Sequence, residues 1–264
     1  MKRWVVPFLL AVTVLGLLGL PLRVELDSPL LGTPAVLVPG ETLEIRLATT
    51  LPFLSPALTA SLEGPEGATP LTLEPSWNGI GRVFRGKLPL LPDGGYALRI
   101  RTEHQDLRFP QAVFVRAAWP RRFLVVQAAD LIPPGNEALL DQFVAEMNLI
   151  RPAAVLLTGD LAYTGSEAIY RTVEAALIRI QAPVLLIAGN HEREHWHRYL
   201  GTFRTTRSRV DLGPLRVLSL DSGHGRDRFT PSQIQWLRDE LEHLEGRTPI
   251  LQAHHPVFPS DKST

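Results

Sequence analysis

Past Phe123 the chain carries five short apolar runs, "FLVVQ", "AAVLLT", "APVLLIA", "RVLSL" and "PILQA", and no other feature restricts its fold as much. Runs of this length and composition fit strands buried on both faces. Helical patterns separate several of them. Leu140, Phe143, Val144 and Met147 recur at steps of three and four, as do Ile169, Val173, Leu177 and Ile180, so each set predicts one helix face. A third helix is marked by Thr230 and Gln233 as a capping box with Pro231 at its first position. Its stripe is Ile234, Leu237, Leu241 and Leu244, and Gly246 closes it. This half of the chain reads as an α/β core.

Residues 30–117 obey a different grammar. β-type runs such as "TLEIRLA", "RVFRGKL", "YALRIRT" and "AVFVRAA" alternate with the turn signals "PG", "GPEG", "WNGIG" and "PDGG". Short, evenly spaced strands without helical periodicity predict a small β-sandwich, joined through "AWPRR" to a second domain over residues 122–264.

Charge and cysteine content narrow the function. Lys plus Arg and Asp plus Glu are both 27 in 264 residues, so there is no basic footprint of a nucleic-acid binder. Without cysteine, any metal must sit on His, Asp, Glu, Asn or Tyr. Lys2 and Arg3 precede an uncharged run from Trp4 to Leu22, so residues 1–22 are expected to act as a signal peptide or, without a small-x-small cleavage site, as an uncleaved membrane anchor. Either outcome exports the rest of the chain.

"GNHEREH", residues 189–195, spells two motifs at once. His191, Glu192 and His195 match the H-E-x-x-H of zinc proteases, which needs a continuous helix. The strand-like "APVLLIA" just upstream and the Gly189-Asn190 pair argue against that helix, and no third ligand comes after at a recognisable spacing. His191 is therefore expected on a turn after a strand, with His195 and His197 facing solvent.

Metal-competent residues stand at the ends of four predicted strands: Asp130, Asp160, Asn190 and His254. Open α/β folds gather ligands at that edge. "GDLAYTG", "AGNHE" and "LQAHHP", in this order, with "LDS" and "PSQIQWLRDEL" between the last two, resemble the calcineurin-like metallophosphoesterase superfamily over roughly residues 122–260.

That resemblance implies a sandwich of two mixed sheets flanked by helices, and a dinuclear site that hydrolyses phosphate esters. By the same resemblance Asp130 binds the first metal, Asp160 bridges both, Asn190 and His254 bind the second, and His191 faces the substrate as the catalytic residue. The family's D-x-H motif reads "DLI" here, with Ile132 in the histidine's place. The purple acid phosphatase branch lacks that histidine and uses the tyrosine of G-D-x-x-Y on Fe(III). Tyr163 stands at that position, either as a phenolate ligand or as a loop aromatic, and the implied ions are iron with iron, zinc or manganese.

The family also closes with G-H-x-H, which "GHGR" at 223–226 cannot replace, so the sequence is expected to be a fragment. Glu192 either orients His191 or lies in solvent, and His255 edges the pocket. Asp221 serves loop geometry, and Arg204, Arg207 and Arg209 form a solvated basic loop. Three functions stay open: an exported enzyme acting on a small phosphate ester, a phosphodiesterase with two divalent ions, or a degenerate binding protein without catalysis.

Overall fold

A computed structural model describes residues 23–49, 57–77, 82–131, 138–163, 165–204, 206–223 and 229–256. The leader, Ile132 and His224 lie outside them. Among the described residues no helix is long and apolar enough to cross a membrane.

The first region is built from nine strands: β1 (Val24–Ser28), β2 (Ala35–Leu37), β3 (Thr42–Thr49), β4 (Leu58–Gly64), β5 (Gly67–Leu71), β6 (Glu74–Trp77), β7 (Arg82–Lys87), β8 (Gly94–Thr102) and β9 (Asp106–Val115). They form a four-stranded sheet in the order β1-β3-β7-β6 and a five-stranded sheet in the order β2-β9-β8-β4-β5. Alternation along each strand sorts the side chains. In β3, Leu43, Ile45 and Leu47 point inward, and they meet Leu62, Leu98 and Ile100 of the other sheet in one core.

The second region opens with a three-stranded parallel sheet of β10 (Val125–Ala128), β11 (Ala154–Leu157) and β12 (Val184–Leu186). Helices α1 (Ala138–Ile150) and α2 (Glu167–Leu177) connect these strands, as the periodicity predicts. Both helices pack on this sheet through Leu140, Val144, Met147, Tyr170, Val173 and Leu177. Ile180 is buried as expected, but beyond the helix end.

A short helical pair, α3 (Asn190–Glu194) and α4 (Trp196–Thr202), comes after β12. The remaining strands are β13 (Ser208–Leu212), β14 (Leu215–Ser219) and β15 (Thr248–Gln252), with α5 (Pro231–Glu242) between the last two. The hairpin β13-β14 is antiparallel and β14-β15 parallel, so this second sheet is mixed. Ala154, Leu156 and Leu185 face Val210, Leu212 and Val217 between the two sheets.

A buried glutamine links the layers. Gln252 donates from Nε2 to the Leu157 carbonyl across the sandwich (2.8 Å) and accepts from Ser219 Oγ (2.9 Å). That bond sets the end of β15 beside the end of β11. It is why residues so distant in sequence share one rim.

The two regions are also joined directly. Gly32 donates to the Val184 carbonyl (3.2 Å) and accepts from Leu186 N (3.1 Å), extending the parallel sheet beyond β12. Val36 and Phe114 share a core with Leu156 and Leu185, and Trp119 of "AWPRR" lies against Gly213, so the expected connector is packed in place. Gly32 sits at φ +95, and a Cβ there would meet Leu186 Cγ at 2.6 Å. Gly32→Ala is therefore expected to cost about 1–3 kcal/mol through overpacking and left-handed strain. A thermal scan showing an unchanged midpoint would contradict this docking.

Candidate metal centre

Each metal-competent residue predicted at a strand end is placed by a break in regular structure. After β11 the chain turns through Gly159 (φ +96) and Asp160 (φ +52), and after β10 it turns at Asp130 (φ +55). Left-handed conformations suit Asp among non-glycine residues and concentrate at functional loops. After β12, Gly189 leads into α3, so Asn190 and His191 occupy its first two positions. His191 thus lies on a one-turn helix, where the sequence predicted a plain turn. The helix stops at Glu194, and His195 is its cap at φ −123, so the continuous helix of a zinc protease is not formed.

The side chains converge. His254 Nε2 lies 3.0 Å from Asn190 Oδ1 and 3.5 Å from Asp160 Oδ2, and His191 Nε2 lies 3.8 Å from the same Asp160 oxygen. His254 Nδ1 is 2.8 Å from the Thr158 carbonyl, which only accepts, so Nδ1 carries the proton. In the neutral imidazole Nε2 then presents a lone pair to two further oxygen acceptors. Three acceptors aimed at one point fit a cation, and a carbonyl fixing the opposite ring nitrogen is the usual support of a metal-binding histidine. Among the described residues no three His, Asp or Glu side chains group closely enough to hold a metal ion; the third donor beside His254 and Asp160 is the Asn190 amide.

Glu192 holds this arrangement together. Fully buried, it accepts from Asp160 N (2.8 Å), Leu161 N (2.9 Å) and Gly189 N (2.7 Å), tying the loop after β11 to the start of α3. Burial pushes its carboxyl above the ordinary glutamate value and the Asp160 charge adds to this, while the three backbone donors pull it down. It neither orients His191 nor faces solvent. Its place in a motif dense with charge gave no sign of burial.

The remaining predicted site residues are less closely engaged. Asp130 is exposed one strand over, and its backbone N donates to the Gly159 carbonyl (3.2 Å). Tyr163 is 57% exposed, and its ring packs against His191 in a tilted contact, with centroids 4.1 Å apart and planes 34° from parallel. The structure thus brings Asp160, Asn190, His191 and His254 together and sets Asp130 and Tyr163 at their margin.

A supporting network surrounds the cluster. Asp221 is buried, pairs with Arg193 of α3, and accepts from Gly223 N (2.8 Å). Gln233 does not complete the expected capping box. Thr230 caps the Gln233 amide, but the Gln233 side chain clasps both backbone groups of Asp221 (3.0 Å each). Helix α5 ends at Glu242, short of Gly246. Ser222 Oγ accepts from His255 N (3.1 Å) and lies 3.0 Å from its Nδ1. His195 packs against Gly165 and is half-buried, contrary to expectation. Arg204 and Arg209 pair with Glu25 and Glu240, and Arg207 lies over Trp236, so this basic segment is engaged by the protein itself.

The family model described as "Calcineurin-like phosphoesterase" matches residues 123–263. A cAMP/cGMP dual specificity phosphodiesterase of Mycobacterium tuberculosis is 32% identical over 123 residues, covering 42% of this chain and 39% of that protein. A glycerophosphodiester phosphodiesterase of Enterobacter lignolyticus is 28% identical over 130 residues, covering 44% and 47%. The chain thus spans less than half the length of these relatives. Among solved structures, a purple acid phosphatase from yellow lupin superposes with a TM-score of 0.48 at 16% identity, covering 83% of this chain and 50% of that one.

Proposed function

This chain belongs to the calcineurin-like phosphoesterase family, and on that premise we propose that it hydrolyses phosphodiesters with the help of two bound metal ions. The observation that carries this reading is the convergence of Asp160 Oδ2, Asn190 Oδ1 and His254 Nε2 on one point. Asp160, Asn190 and His254 would hold one ion, with the Asp160 carboxylate available to share a second, and Asp130 at the margin of the cluster would supply a further carboxylate. When bound, such a pair activates water for attack on phosphorus and offsets phosphate charge. His191, whose backbone N bonds Asp160 Oδ1 (3.1 Å), is held beside the cluster to protonate the leaving oxygen.

The phosphodiester class is supported by the activities for which the two relatives above are named. It also agrees with the local charge: Arg193, the arginine of α3, is committed to Asp221, which favours a singly charged diester over a doubly charged monoester. The phenol of Tyr163 is the hard donor that would select Fe(III). The basic and apolar leader supports export of the domain, a reading that cell fractionation placing the protein in the cytosol would overturn.

Metal analysis paired with turnover of bis(p-nitrophenyl) phosphate and p-nitrophenyl phosphate tests the proposal. Faster diester hydrolysis is expected, abolished by chelation and restored by Mn(II) or iron. His254→Ala is expected to lower kcat/KM by on the order of 100-fold or more. A visible charge-transfer band in the iron form would establish the phenolate. Full-length protein that binds no metal would instead identify a non-catalytic binding protein.

A further inference from the structure

We propose that the ring of Tyr163 is a positioning element for His191, fixing the plane of its imidazole independently of any role for the phenolic oxygen. This inference rests on the reading that His191 serves the reaction, and it begins from a gap in that residue's bonding. Among the described residues, buried His191 Nδ1 has no hydrogen-bond partner; the Glu194 carboxylate stands 4.0 Å away, and Nε2 is 3.8 Å from Asp160. Both distances exceed a hydrogen bond. Among the described residues, the hydrogen bond that ties His191 is made by its backbone, from its N–H to Asp160 Oδ1.

The torsion that turns a histidine ring about its Cβ–Cγ bond is broad, so an imidazole without hydrogen bonds needs packing to select its plane. Tyr163 supplies that packing, with its ring 34° from parallel and 4.1 Å away. The residues before and beyond this contact are well packed. Leu161 and Ala162 before it are fully buried. Just after it, Gly165 lies against the His195 ring and its carbonyl accepts from Arg198 (3.3 Å). An aromatic side chain so exposed has no packing role in the core. Its one ring contact among the described residues is His191.

Comparing Tyr163→Phe with Tyr163→Leu isolates the ring from the hydroxyl, and the exposure of the site allows both variants to fold. The first readout needs neither metal nor turnover. In full-chain protein with labelled histidine, the His191 Cε1–H resonance, assigned by loss in His191→Asn, should be shifted upfield by the ring current in wild type and Tyr163→Phe. It should move toward the values of exposed histidines in Tyr163→Leu. The second readout is kinetic: with bis(p-nitrophenyl) phosphate, kcat of Tyr163→Leu should fall about tenfold below that of Tyr163→Phe while KM stays similar, as expected when a proton donor is misoriented.

Equal His191 shifts in the two variants would overturn the inference, as would equal kcat values. An inactive wild type with the shift difference intact would instead remove the catalytic reading and leave the ring contact standing. A fall in bound iron in Tyr163→Phe relative to wild type reports on the phenolic oxygen and leaves the Phe-to-Leu comparison as the measure of the ring.

Discussion

Glu192→Gln should lower the thermal midpoint by on the order of 10 °C and weaken metal binding roughly 10- to 100-fold. The size of the effect comes from what the carboxylate satisfies. Its two oxygens take three backbone N–H groups, from Asp160, Leu161 and Gly189, in a space with no water access. Glutamine has nearly the same shape but one acceptor oxygen. Whichever way the amide turns, its NH2 group faces at least one backbone N–H. A buried donor left without an acceptor costs about 1–3 kcal/mol, and losing the charge also weakens the bonds that remain.

The consequence for the site is geometric. Glu192 sets the separation between the loop that carries Asp160 and the helix start that carries Asn190, so loosening it spreads the donors that must meet around a cation. Calorimetric titration of the metal-free protein with Mn(II), beside a thermal scan, reads both effects. Wild-type affinity in a destabilised variant would show that Glu192 holds the fold without setting the site. An unchanged midpoint would remove the clamp altogether.

Why the burial of this residue is not legible in the sequence shows where local pattern stops. The strands after Phe123 are legible because continuous burial leaves continuous apolar runs. α1, α2 and α5 are legible because one face of each contacts a core. Asp160, Asn190 and His254 can be assigned to a common rim because parallel strands align their carboxyl ends. None of these signals extends to contacts between loops. Glu192 sits among His191, Arg193 and Glu194, a run that reads as a solvated face, and is buried only because residues 159–161 fold onto it. Gln233 has the spacing of a capping box, yet its side chain finds a stronger claim in the backbone of Asp221. The docking of Gly32 beside β12 joins residues some 150 positions apart, and no periodicity encodes it. His195 has charged neighbours that predict solvent exposure, whereas the bare backbone of Gly165 gives its ring a surface to pack on.

Gly189→Ala should abolish the site more selectively than any loss of a ligand. The backbone at Gly189 is extended, with φ −97 and ψ −167, so any residue could adopt its conformation. What it lacks is room. A Cβ there would lie 2.1 Å from Asp160 Oδ1 and 2.6 Å from Asp160 N, and on the facing loop a Cβ at Gly159 would lie 2.5 Å from Gly189 N. The two loops meet backbone to backbone because both are glycine at the crossing. A methyl group must displace the Asp160 carboxylate, breaking its bond from His191 N and withdrawing Oδ2 from His254.

Overpacking of this kind costs about 1–3 kcal/mol, while displacing the carboxylate proposed to bridge the two ions should lower kcat/KM by on the order of 100-fold or more. Gly201→Ala is the matched control. It lies within α4, and apart from its chain neighbours and its own helix's backbone no described atom comes within 4 Å of the added carbon, so alanine should stabilise the helix by about 0.5–1 kcal/mol and leave metal binding unchanged. Metal affinity preserved in Gly189→Ala would mean that Asp160 can move without consequence, which would overturn its proposed role as the ligand shared by two ions.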